Sequence, residues 1–214
     1  MSAPGRTALL DAAEELFAAH GIGAVSNRRI VEQAGAANHS AISYHFGGRD
    51  GLITALVDRH EEQLTPYRTA HLNATAPPAT THEAIRSRLI PLVELFDRLP
   101  RPSWRAQFLS QARADPSART AMIDAARRST ASLMPDADQW RTDIPPKVLR
   151  ARIGLVANLV IGVCAQHEKQ MHEGTNSGSW LDVGHFLVDA TAGMIEAPVT
   201  YPGPVPRDES PPLI

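Results

Sequence analysis

The chain has 214 residues, 43% of them hydrophobic, and is long enough to bury a core in one or two domains. A single cysteine excludes an internal disulfide, and no basic segment followed by an apolar run opens the sequence. We therefore expect a cytoplasmic protein without a signal peptide. The formal charge of −2 gives no sign of nucleic-acid binding, and the first sixty residues carry five arginines against six acidic residues.

Two helices are predicted at the start of the chain. The first runs from about Arg6 to His20, with its apolar residues recurring on one face, and it is followed by Gly21 and Gly23. Ser26 is a typical N-cap for a second helix that ends near Ala34.

A short third helix is predicted from Asn38 to Phe46, after a sharp turn at Gly35. Asn38 is a favourable N-cap, and Ile42 and Phe46 are four residues apart, so both can anchor the helix to a core. Ser40 and Tyr44 point the other way. A helix this short gains little from burial, so its polar outer face is better explained as a contact surface. This pattern is typical of a helix-turn-helix whose second helix enters a DNA major groove.

The rest of the chain is predicted to be helical as well, because no segment shows convincing strand alternation. Helix 4 starts near Arg49 and is expected to end near Thr65, since Pro66 disfavours a helical conformation in the residue before it. The alternative is a helix that is kinked at Pro66 and continues beyond it. A linker is expected over residues 73–80. The later helices are predicted around residues 85–96, 104–109, 116–133, 146–173 and 180–197. Six prolines predict a disordered tail over residues 198–214.

Three segments of the first sixty residues resemble a known family. Tyr44-His45-Phe46-Gly47, followed by Arg49-Asp50-Gly51-Leu52, is similar to the Tyr-His-Phe-Gly-x-Lys-Glu-x-Leu signature of the TetR family of bacterial transcriptional regulators. The stretch from Leu9 to Gly21 resembles that family's first helix, and Ser26 to Ile30 the start of its second. The resemblance implies an all-α fold with a three-helix DNA-binding domain over residues 1–48. A helical effector-binding and dimerisation domain follows over 49–197, with helix 4 connecting the two.

Residues of the second helix, the third helix and the start of the fourth are predicted to contact DNA. Serine hydroxyls can bond to either base type, and an alanine methyl can touch a thymine methyl. The resemblance implies phosphate contacts for Tyr44, His45 and Arg49, the last at a helix start that favours an anion. The full predicted set is Ser26, Asn27, Arg28, Asn38, His39, Ser40, Ala41, Ser43, Tyr44, His45 and Arg49.

Three departures from the family pattern leave the DNA sequence unpredictable. The turn between Gly35 and Asn38 is one residue longer than the commonest form. His39 replaces the usual lysine, and Ser43 replaces an aromatic residue before Tyr44.

The last two helices are predicted to form the homodimer interface, because the helix around Ile153 to Val163 is apolar on more than one side. The second half is also expected to enclose a pocket for a hydrophobic or aromatic small-molecule effector. Its candidate lining is Phe96, Trp104, Phe108, Met122, Asn158, Cys164 and His167. Asn158 is the foremost of these, because an amide inside an apolar helix needs a partner.

Two alternatives to a ligand-responsive repressor on a palindromic operator remain open. One is an orphan DNA-binding regulator without an effector, and the other is a helical small-molecule-binding protein or enzyme. His167 and His172 are five residues apart, about 140° around a helix, so they do not easily share one metal ion. Cys164 and His167 are three apart and could touch, but nothing else indicates an activated nucleophile. We expect no enzyme activity, metal, cofactor or membrane partner.

Overall fold

Helices make up most of the residues that the computed structural model describes, which are 5–35, 38, 40–130, 144–176 and 178–200. These residues form nine helices and no strand, as predicted for an all-α fold. The helices are α1 Arg6–His20, α2 Asn27–Gln33, α3 Ala41–Phe46, α4 Arg49–Ala74, α5 Thr81–Arg98, α6 Arg105–Ala114, α7 Pro116–Thr130, α8 Pro146–His172 and α9 Trp180–Glu196.

Local capping chemistry explains where several helices begin. The hydroxyl of Ser26 accepts a hydrogen bond from the backbone N–H of Arg29 at 3.2 Å, as its predicted N-cap role requires. Asp115 does the same for the N–H of Ala118 at 3.0 Å, ahead of α7. Thr80 before α5 and Ser179 before α9 each form a reciprocal capping box with the acidic residue three positions later.

Two predicted helix boundaries are wrong. Helix α3 begins at Ala41 rather than Asn38, and its N-cap is Ser40. The Asn38 side chain instead accepts from the backbone N–H of Ser40 at 3.0 Å and from its hydroxyl at 2.7 Å. Helix α4 runs through Pro66 to Ala74 instead of ending at Thr65. Pro66 is exposed while Leu64 and Arg68 are buried, so packing on the other side holds the helix through the proline.

One hydrophobic cluster joins the N-terminal helices to the rest of the molecule. Helix α4 packs against α5 and α7, α5 against α9, α6 against α8, and α1 against α6. Buried residues from Leu9 in α1 to Ile195 in α9 belong to the same cluster. A domain boundary at residue 48 stays a prediction, since the core runs across it.

Helix α8 has a mean hydropathy of 1.8 over its most apolar window, and 44% of that window is buried within the chain. By length and composition alone such a helix could cross a membrane, but the core helix of a soluble protein meets the same criterion. Three predictions fall partly or wholly outside the described residues: His39, the end of the 116–133 helix and the tail beyond residue 200.

Candidate nucleic-acid interface and regulatory cavity

A tight turn formed by Gly47 and Gly48 connects α3 to α4. Gly47 and Gly48 have φ of +74° and +132°, backbone conformations that other residues rarely adopt. Gly51, in the first turn of α4, lets the Phe46 carbonyl come so near that a Cβ at this position would lie 1.8 Å from its oxygen. Ile42 anchors the inner side of α3 in the core. The turn and the core contact together set the direction in which the outer side of α3 points.

The outer side of α3 presents the polar residues that the sequence predicts. Ser40, Ser43 and Tyr44 are exposed, and Tyr44 is 83% exposed although it is a large aromatic residue. Its ring lies edge-on to His45, with centroids 4.9 Å apart. Ala41 is buried, so the prediction that it touches a base is not supported: its methyl group packs into the core.

The predicted contacts around α2 and the start of α4 have partners within the protein. Arg28 is exposed and pairs with Glu32 at 2.7 Å along α2. Arg49 is turned inward, donating to the Asn27 side chain at 3.1 Å and to the Ile22 carbonyl. Its guanidinium also lies 5.1 Å from the centre of the Phe17 ring. Arg49 therefore connects the start of α4 to the start of α2. To contact a phosphate as predicted, its guanidinium has to bond to the phosphate in addition to these partners or in place of them.

A charge cluster, which we call the junction cluster (Glu14, Arg59 and Arg105), joins α1, α4 and α6; Glu14 and Arg105 are buried and Arg59 is half-buried. The Arg105 guanidinium donates to both Glu14 carboxylate oxygens, at 2.8 and 3.2 Å, and to Gln63 at 2.9 Å. Arg59 donates to the same carboxylate. The sequence does not reveal this cluster, because Glu14 and Arg105 are 91 residues apart and no spacing rule connects them.

His60 lies beside the junction cluster and is fully buried. Its Nδ1 is 3.5 Å from Arg105. Burial, followed by the positive charges of Arg105 and Arg68, holds the pKa of His60 well below its ordinary value. The imidazole is therefore neutral in the folded protein near pH 7.

A cavity of about 300 Å³ lies between the ends of α5 and α8 and the start of α9. Its floor is apolar and aromatic, with the rings of Phe96 and Trp180 5.0 Å apart. The lining consists of Phe96, Arg101, Pro102, Ser103, Glu168, Met171, His172 and Trp180.

Glu168 connects this cavity to the junction cluster. Its carboxylate accepts from the backbone N–H groups of Ala106 at 3.3 Å and Gln107 at 3.0 Å, so it caps the start of α6. Arg105 is the first residue of the same helix. Glu168 in the cavity wall thus caps α6, and Arg105 at the start of α6 bonds to Glu14 of α1.

Of the seven residues predicted to line an effector pocket, Phe96 lines this cavity. Trp104 stacks edge-on against His172, a lining residue, at 4.3 Å. Three others, Phe108, Met122 and Cys164, are fully buried core residues. His167 is buried next to Trp180, with ring centroids 4.6 Å apart.

Asn158 differs from its prediction. It is exposed on α8 rather than enclosed, and its amide oxygen accepts from Arg113 at 2.9 Å.

The cysteine and histidine positions give little support for catalysis. Burial raises the pKa of the Cys164 thiol to about 12, which disfavours a nucleophilic thiolate. Among the residues that the structure describes, no group of three or more histidine, cysteine or acidic side chains is placed to hold a metal ion.

Comparison with known proteins identifies the N-terminal segment. The family model described as bacterial regulatory proteins, tetR family, matches residues 9–56. No curated protein matches the sequence. One solved structure that is similar to this chain is that of SCO7518 from Streptomyces coelicolor A3(2), provisionally named a transcriptional regulator. Its sequence is 20% identical to this chain, and the TM-score between the two structures is 0.47. The match covers 90% of this chain and 98% of that one. Residues 9–56, which contain the exposed α3, therefore match the tetR family of bacterial regulatory proteins, and the rest of the chain lies outside that match.

Proposed function

We propose that the protein is a ligand-responsive repressor that binds a palindromic operator as a homodimer. The observation that carries the proposal is the outer side of α3, where Tyr44 is 83% exposed beside the exposed Ser40 and Ser43. A tyrosine left in water on a rigidly held six-residue helix is explained by a partner that covers it. A major groove fits, because serine and tyrosine hydroxyls bond to base edges and to phosphate oxygens.

A homodimer through α8 and α9 is supported by the apolar surface of these two helices. Leu155 of α8 is 57% exposed and Phe186 of α9 is 66% exposed. Gly162 and Gly193 each have open space where a Cβ would lie, which favours close approach of another helix. Two such helices from each subunit would bury these residues in a four-helix bundle.

Ligand response is supported by the path from Glu168 through α6 to Glu14. A ligand that displaces Glu168 would move the start of α6. It would thereby change the hydrogen bonds between Arg105 and Glu14 of α1. Operator affinity would then fall by the difference in binding free energy between the two states, typically ~1–3 kcal/mol. An orphan regulator would bind the same operator without such release. Since its partner is chromosomal DNA, we place the protein in the cytoplasm.

The experiment that tests DNA reading is in vitro selection of random duplex DNA by the wild type and by Tyr44→Ala. The proposal predicts an enriched inverted repeat for the wild type and weak or absent enrichment for the variant. Tyr44→Phe, which removes only the hydroxyl group, is the matched control and separates hydrogen bonding from ring contact. Equal enrichment by wild type and Tyr44→Ala would refute the role of α3.

The dimer is tested by sedimentation of Phe186→Asp beside Leu72→Asp. Both positions are exposed apolar residues, but Leu72 lies on α4, away from the proposed interface. We expect a monomer from Phe186→Asp and an unchanged dimer from Leu72→Asp. A dimer that persists in both would place the interface elsewhere.

A further inference from the structure

We propose that the cavity beside Trp180 binds a small aromatic acid, with its ring against Phe96 and Trp180 and its carboxylate at Arg101. This inference rests on the proposed function and names the class of ligand that the regulator would sense. The supporting observation is which polar groups of the cavity wall can still form hydrogen bonds to a ligand.

The negative group in the cavity wall has no capacity left for a ligand. Glu168 accepts from the N–H groups of Ala106 and Gln107, from the Gln107 side chain at 3.3 Å and from the Ser103 hydroxyl. A carboxylate has about four lone-pair sites, so these four donors occupy them. A cationic ligand would have to break the cap of α6 to reach Glu168, and a cation is therefore disfavoured.

The positive group at the same wall has donors to spare. Arg101 carries five N–H donors, and its ion pair with Asp97 is long, at 3.5 Å, between two exposed side chains. An exposed pair of this kind contributes little, so a ligand carboxylate can replace it at low cost. The His172 ring also lines the cavity, and its N–H group is a further hydrogen-bond donor. The unused bonding capacity of the wall is thus mainly donor capacity, which fits an anionic or acceptor group.

The remaining lining selects for an aromatic body. Phe96, Trp180 and Met171 line the cavity with two aromatic rings and a polarisable thioether, all of which favour contact with another ring. A volume of about 300 Å³ is at the lower end of ligand sites, which span roughly 300–1,000 Å³. The site therefore fits a molecule of one or two rings.

Calorimetric titration of the DNA-free protein with three matched probes tests the proposal. Phenylacetate, phenylacetamide and phenethylamine share a ring and a short arm and differ mainly in the charge of the head group. We expect phenylacetate to bind about tenfold more tightly than the amide, because a charge-assisted bond to arginine is stronger than a neutral one. Phenethylamine should bind least.

Arg101→Gln should remove the preference for phenylacetate over the amide and leave amide binding nearly unchanged. Arg98→Gln, at an exposed arginine three residues earlier that ends α5 and lies outside the cavity, is the matched control and should keep the preference. Tighter binding of the amine, equal binding of all three probes, or binding of none would overturn the proposal. So would a preference for phenylacetate that survives in Arg101→Gln.

Operator binding by the ligand-free protein is measured separately, so that failure of either proposal is recognised. Operator binding without any probe binding refutes the cavity assignment alone. Phenylacetate binding that depends on Arg101 but leaves operator affinity unchanged supports the cavity assignment and refutes ligand-responsive repression by this site.

Discussion

Helix α3 and the cavity illustrate two ways of building a functional site. The outer side of α3 draws its polar residues from five consecutive positions, Ser40 to Tyr44, and a rigid turn presents them to solvent. The cavity takes its lining from α5, the segment after it, α8 and α9. A surface that reads DNA can be encoded locally, whereas a cavity exists only once distant helices have packed. The junction cluster is the place where the two regions meet.

Removing the junction arginine gives the largest expected effect and tests whether the two regions are one mechanical unit. Arg105→Met removes the arginine that donates to both oxygens of the buried Glu14 carboxylate and leaves Arg59 as its partner. We therefore expect a loss of about 3 kcal/mol in the free energy of unfolding. Urea unfolding measures it. Arg98→Met, at an exposed position, should change stability by less than about 0.5 kcal/mol. A loss no larger than that of the control would show that the junction cluster does not hold the regions together.

A methyl group at Gly51 tests how rigidly the DNA-reading region is held. Alanine normally stabilises a helix relative to glycine by roughly 0.5–1 kcal/mol. Here its Cβ would meet the Phe46 carbonyl oxygen, so we expect Gly51→Ala to destabilise the fold by ~1–3 kcal/mol and to weaken operator binding. Thermal unfolding and a binding titration report the two effects. Gly23→Ala, where the added methyl has open space, should be close to neutral; a stabilised Gly51→Ala would contradict the close turn.

Mild acid should weaken the junction through His60. The folded protein keeps this imidazole neutral, while the unfolded chain takes up a proton near pH 6.5. The free energy of unfolding attributable to His60 is therefore fully present above pH 6.5. Below that pH it falls, by up to about 1.4 kcal/mol per pH unit.

His60→Gln should flatten the stability profile between pH 7 and pH 5, measured by urea unfolding at each pH. His185→Gln, at an exposed residue of α9, should keep the wild-type slope. Identical slopes in all three proteins would mean that His60 titrates alike in the folded and unfolded states.

Arg28→Gln gives the smallest effect and concerns the DNA-reading region alone. Its exposed pair with Glu32 contributes little, so Arg28 can turn to a phosphate. We expect the slope of log affinity against log salt to become shallower by about one, with similar weakening on every DNA sequence. An unchanged salt slope would remove Arg28 from the interface.

The same contrast decides what could be predicted from the sequence. Helix positions, the exposure of Tyr44 and the anchoring by Ile42 follow from periodicity and caps, which act over a few residues. At Pro66 local preference predicts the end of a helix, whereas the burial of Leu64 and Arg68 maintains α4 through this position.

Contacts between distant residues could not be predicted at all. Glu168 meets Gln107 across 61 positions, and Arg49 meets Asn27 across 22. Side-chain chemistry alone therefore indicates the candidate pocket residues, and most of them are core or surface residues.

Footprinting of the selected operator by hydroxyl radicals is the most direct test of the central claim that α3 reads DNA from a symmetric pair of subunits. The account predicts two equally protected patches about one helical turn apart on either side of a dyad, both lost in Tyr44→Ala. A single patch would contradict the homodimer on DNA. Protection that survives in Tyr44→Ala would contradict α3 as the reading helix.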